Sequence, residues 1–71
     1  MQIEMVSIND VKEYTGNPRE ISETAVEAVA QSIREFGFKN PCILDRDNVL
    51  IAGHTRVRAA RKLGMKQVPV I

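Results

Sequence analysis

The sequence predicts an α+β domain in the order β-α-β-β-α-β, a small mixed sheet carrying two helices. Three observations predict it. Apolar residues recur at three- and four-residue spacing in two windows, 26–36 and 57–63. Short runs rich in Val, Ile and Leu flank and separate those windows. A polar turn, Asp45-Arg46-Asp47-Asn48, splits two of the runs into a hairpin.

Ile3 to Ile8 has enough β-branched and apolar residues for a first short strand. The polar stretch that follows contains Asn17-Pro18-Arg19, where Pro18 stops any helix or central strand and holds Asn17 extended, so this is a loop with a fixed bend. The first helix, 22–36, starts at Ser22 as N-cap, with Ile21 placed to staple against Val26. Val26, Val29, Ala30, Ile33 and Phe36 make its buried face. Gly37 ends it, and Phe38 is expected to fold back on Ile33. Pro41 to Asp45 and Asn48 to Ala52 form the hairpin. Gly53 opens the second helix, whose stripe is Val57, Ala60 and Leu63 with Ala59 at the margin, and Gly64 closes it. Gln67 to Ile71 is a last strand in which Pro69 implies an edge position or a bulge.

With 71 residues the chain makes at most one domain, 1–71, either a compact module or a piece of something longer, and such a chain buries only about 60% of its unfolded surface, too little for a long two-walled cleft. Its 44% hydrophobic and 27% charged residues are those of an ordinary globular domain. No apolar stretch nears the ~18 residues of a membrane span, and the N-terminus lacks the pattern of a signal peptide, so a cytoplasmic location is expected. The one cysteine, Cys42, has no thiol partner for a disulfide or a four-ligand zinc site and is expected to be a small core residue. The formal net charge of +1 hides an asymmetry. Residues 1–47 carry nine acids and five bases, whereas residues 48–71 carry five bases and no acid.

The stretch Gly53-His54-Thr55-Arg56 stands where a strand turns into a helix. Backbone N–H groups in a first helical turn have no intrahelical partners, and the helix dipole is positive there, which favours an anion. Gly53 lets a phosphate approach the backbone, the Thr55 hydroxyl can donate to it, and Arg56 can grip it with a planar fork. His54 can donate too, or act as a general acid or base. The alternative is that Gly53 only makes the turn and the cations form a solvated face. Arg58, Arg61 and Lys62 are candidates for nucleic-acid phosphate, with a solvated helix face as the plainer reading. Phe36 and Phe38 are assigned to the core, which leaves little for base stacking. One histidine and no clustered carboxylates give no metal site, and no carboxylate pair is spaced to hold two metals as in nucleases.

Taken together, Asn17-Pro18-Arg19, Ser32 to Phe38, Asn40-Pro41, Ile51 to Ala60, Leu63-Gly64 and Val68-Pro69-Val70 resemble, in order, the N-terminal domain of the ParB family, within the ParB/sulfiredoxin superfamily. The resemblance implies a nucleotide site at the start of the second helix. In partitioning ParB proteins the corresponding stretch is Gly-Glu-Arg-Arg and holds the triphosphate of CTP, while a Pro-Arg element lines the same pocket. Gly53, Arg56 and Arg19 match that pattern; His54 replaces Glu and Thr55 replaces Arg, which changes the charge and metal affinity of the turn. The Gly-His-Thr-Arg form is similar to phage-derived and methyltransferase-fused domains called ParB-like nucleases. Free serine kinases of the superfamily use a similar turn, whereas sulfiredoxins carry a cysteine where Gly53 stands. The implied ligands are a nucleotide, CTP or ATP with Mg²⁺, and DNA. The implied fused or partner domain is a helix-turn-helix or a methyltransferase. Function classes left open are a nucleotide- or DNA-phosphate-binding module, a nuclease or phosphotransferase using His54, and an inert interaction domain.

Overall fold

The computed structural model describes residues 2–13 and 21–71. The elements are β1 (Glu4–Ser7), a 3-10 turn (Ile8–Asp10), α1 (Glu23–Phe36), β2 (Ile43–Leu44), β3 (Leu50–Ala52), α2 (His54–Lys62) and β4 (Gln67–Val70). The order is the expected one. The Asn17-Pro18-Arg19 bend, and Arg19 with it, lies outside the described residues.

The strands form two antiparallel pairs, β1 with β4 and β2 with β3. Among the described residues, two parallel bridges join them, Lys12 to Val49 and Cys42 to Val70, so the sheet is mixed through single contacts rather than through a parallel ladder. Pro69 lies between β1 and the Cys42 segment, not on an open edge. Its carbonyl accepts from the Cys42 N–H at 2.9 Å, and Ile71 N–H donates to the Cys42 carbonyl at 2.9 Å. The missing Pro69 N–H thus falls where the parallel bridge begins and no donor is required. In the hairpin, the Asp45 carboxylate accepts from the N–H groups of Asp47 (2.8 Å) and Val49 (3.0 Å), which fixes the polar turn. A bulge between Ile43 and Leu44 shifts the register, so that Ile43 faces Ala52.

Ser22 caps α1, its hydroxyl accepting from Ala25 N–H at 3.1 Å, and Ile21 packs with Val26 as a staple. Helix α2 has apolar residues on two sides. Val57 and Ala60 face the strands with Cys42, Leu50 and Val68, while Ala59 packs against Val26 and Ala30 of α1. Ala59 is therefore fully buried rather than marginal, because α1 covers the side of α2 that the strands do not. Two aromatic expectations are corrected. Gly37, at φ +83° and ψ 173°, leaves α1 in an extended direction and carries Phe38 to the cluster of the strands rather than back onto Ile33. Phe36 is 64% exposed, since the last turn of the 14-residue α1 extends past its nine-residue partner α2. Among the described residues no helix is long and apolar enough to cross a membrane.

Candidate functional site

Strand β3 runs into α2 through Gly53, whose φ of +102° and ψ of 24° place it in the left-handed region. Its carbonyl accepts the first helical bond, from Val57 N–H at 2.9 Å. No side chain caps the turn, in contrast to Ser22 on α1, and no acidic residue stands in it. The first-turn N–H groups of α2 have no acceptor within the helix.

His54, Thr55 and Arg56 are half-buried around this turn and, with Gly53, Ile21 and Ile51, line a cavity of about 220 Å³. Arg56 Nη2 donates to the Pro41 carbonyl at 3.3 Å, which holds the guanidinium beside the turn. Its Nε and the Nε2 of His54 are buried and meet no hydrogen-bond partner among the described residues. Buried polar atoms without partners are uncommon and costly. A cationic side chain in the first turn also opposes the helix dipole, which an anion would offset. Arg56 reaches a second, more apolar cavity of about 590 Å³ between the end of α1 and residues 37–40, lined by Val29, Ser32, Phe36, Phe38 and Asn40.

The structure brings Gly53, His54, Thr55 and Arg56 together and places Arg58, Arg61 and Lys62 elsewhere. Arg58 is exposed and has no ion pair among the described residues. Arg61 Nη1 stands 3.2 Å from Glu13 Oε1, within ion-pair reach though not aligned as a hydrogen bond, and Arg61 Nη2 donates to the Val11 carbonyl at 3.4 Å. Lys62 binds Glu23 and, at 2.7 Å, Glu27 of α1.

One neighbour of the turn escapes sequence reasoning. Cys42 is fully buried, and its Sγ lies 4.0 Å from the Gly53 carbonyl oxygen. Burial pushes its thiol above the ordinary value of 9.0, with the Arg56 guanidinium opposing that shift, so the group stays a neutral thiol at pH 7. The bulge between Ile43 and Leu44 is what brings Cys42 opposite Gly53. A hairpin continued from the Leu44–Leu50 pair without that bulge places Cys42 opposite Ala52, and nothing in the residue types announces the shift.

The family model of the ParB N-terminal domain matches residues 1–71. The ParB-like nuclease domain-containing protein YnaK of Escherichia coli (strain K12) is 41% identical over 64 residues, 90% of this chain and 74% of YnaK. The C-terminally truncated chromosome-partitioning protein ParB of Caulobacter crescentus, crystallised with CTP-gamma-S, superposes with a TM-score of 0.84 at 28% identity, over 100% of this chain and 43% of that one. Bound to the centromeric parS site, that protein superposes at 0.81 with 29% identity, over 96% and 38% of the two chains. Sulfiredoxin of Arabidopsis thaliana shares the fold, with a TM-score of 0.87 at 20% identity over 100% of this chain and 83% of that one. The chain thus spans most of YnaK but less than half of the partitioning protein. An α+β fold with the sulfiredoxin topology, a glycine turn into α2 and a match along its whole length agree: the chain belongs to the ParB N-terminal domain family.

Proposed function

We propose that the chain is a nucleotide-binding module that holds phosphate at the turn Gly53 to Arg56, acting within a DNA-segregating, DNA-modifying or phage-derived DNA-processing protein. The observation that carries this reading is the uncapped first turn of α2, with the buried, unpartnered Arg56 Nε and His54 Nε2 at one cavity. The Caulobacter relative crystallised with CTP-gamma-S supports a nucleoside triphosphate as the ligand class, CTP or ATP. Open N–H groups of the turn and the Thr55 hydroxyl donate to phosphate oxygens, Arg56 supplies the charge, and His54 donates from Nε2 when that atom carries its proton. Mg²⁺ would accompany the nucleotide on its phosphate oxygens. Arg19, assigned to the same pocket by family pattern, is proposed as a second guanidinium, and Arg58 as a contact to DNA phosphate.

A second reading rests on His54 alone. Its unpartnered Nε2 beside an anion site suits a general acid or base for nuclease or phosphoryl-transfer chemistry, with Arg56 stabilising developing charge. Calorimetric titration of wild type and Arg56→Ala with CTP, ATP and a short DNA duplex, with and without Mg²⁺, tests the binding reading. Removing one charge-assisted contact is expected to weaken nucleotide binding about tenfold or more. Equal weak binding of all three ligands by both proteins, steeply reduced by salt, would leave only a basic surface. Turnover that disappears in a folded His54→Ala variant while CTP affinity persists would favour the enzyme.

A further inference from the structure

Behind the turn stands the segment Pro41-Cys42, to which the phosphate reading assigns no part. Cys42 is tied to β4 on both of its backbone groups, through Pro69 O and Ile71 N, each at 2.9 Å. It is a fixed post. A Cβ added at Gly53 would lie 2.8 Å from Cys42 Sγ, 3.1 Å from Cys42 Cβ and 3.2 Å from Arg56 Nη2. The thiol, the Gly53 backbone and the guanidinium therefore fill one volume, with the sulfur occupying the space a side chain at position 53 would need. The Pro41 carbonyl, one residue before, holds the same guanidinium. Cys42 itself lines neither cavity that Arg56 reaches.

From this packing we infer that Cys42 is a positioning residue for the phosphate turn: its volume sets where Gly53 and the Arg56 guanidinium stand, although it touches no ligand. The inference rests on the phosphate reading of that turn. A smaller side chain lets the glycine backbone and the guanidinium settle toward β4 and away from the cavity; a larger one pushes both outward. A neutral thiol suits the place, because an anion beside Arg56 would compete with phosphate for the guanidinium.

The test measures CTP affinity by calorimetry, and melting temperature, for wild type, Cys42→Ala, Cys42→Val and Cys42→Ser. Val11→Ala serves as control for cavity creation, a residue of the same buried cluster that lines neither cavity Arg56 reaches. Displacing preorganised contacts by a fraction of an ångström is expected to weaken CTP about three- to tenfold in Cys42→Ala and Cys42→Val, with Cys42→Ser and Val11→Ala within about twofold of wild type. The Arg56 Nε–H and Gly53 amide resonances should move in Cys42→Ala and stay in Val11→Ala. If Cys42→Ala and Val11→Ala lose affinity only in proportion to melting temperature, Cys42 is packing and the inference is wrong. If Cys42→Ala does not fold, Cys42→Val and Cys42→Ser decide alone: equal affinities for those two overturn it. Should wild type bind neither CTP, ATP nor tripolyphosphate, the phosphate reading fails first and takes the inference with it, whereas normal CTP binding that Arg56→Ala abolishes and Cys42 variants leave unchanged overturns the inference only.

Discussion

Gly53 is demanded twice over, by a backbone angle and by a neighbour. Its φ of +102° disfavours any other residue, and its missing Cβ makes room for the Cys42 sulfur. Gly64, at the end of α2, has a φ of +76° but nothing within 4 Å of an added Cβ. The two positions separate strain from crowding. Gly64→Ala is expected to destabilise by about 1–2 kcal/mol, the cost of a left-handed alanine. Gly53→Ala adds overpacking of about 1–3 kcal/mol on top of that strain. Urea unfolding of the two variants gives the comparison, and equal losses would mean that the Cys42 side chain yields without cost. The glycine was legible in the sequence from its place before a helical pattern. Its partner was not, since Cys42 is eleven residues away and reaches it only through an irregular register.

Helices α1 and α2 meet through an apolar seam and an external clamp. The clamp joins Lys62, in the last turn of α2, to Glu23 and Glu27, one turn apart on α1. The hydrogen bond donated by Lys62 holds the Glu27 carboxyl below its ordinary 4.5, and donating to Glu23 and then to Glu27 holds Lys62 above 10.5. The Glu27 contribution is present above pH 4.5 and fades as pH falls through its lowered value. The Lys62 contribution is complete below pH 10.5 and fades as pH rises through its raised value. All three side chains are exposed, so the effect is small. Lys62→Met is expected to lower the melting temperature slightly at pH 7 in dilute buffer. The difference should disappear at about 1 M salt, where the screening length is about 3 Å, and in acid. A difference that survives both would assign the loss to the aliphatic stem of Lys62 instead. The start of α1 could be read from Ser22 and Ile21, and most of its buried face from spacing. Phe36 and Ala59 depart from the spacing for one reason: helical periodicity gives the direction of a side chain but not the length or placement of the partner that covers it.

Charge along the chain does not become charge across the surface. The acid-free segment 48–71 suggested a basic face of Arg58, Arg61 and Lys62. Folding instead brings Glu13 to Arg61 and Glu23 and Glu27 to Lys62, so that chain halves of opposite sign neutralise one another. Arg56 is directed at Pro41 and the turn, which leaves Arg58 and Lys66 in this segment as exposed cations without an ion pair among the described residues. Each phosphate neutralised contributes about −0.9 to the slope of log K against log salt, so contacts by Arg58 and Lys66 together predict weak duplex binding with a slope near −2. Arg58→Ala should reduce that slope by about one, while Lys62→Ala, which removes a cation already held by carboxylates, should leave it unchanged. Fluorescence anisotropy of a labelled duplex from about 20 to 200 mM NaCl gives the slopes. A slope near −4 that Lys62→Ala also lowers would show the opposite, that DNA displaces Glu23 and Glu27 and the helix clamp opens to expose the basic face the sequence suggested.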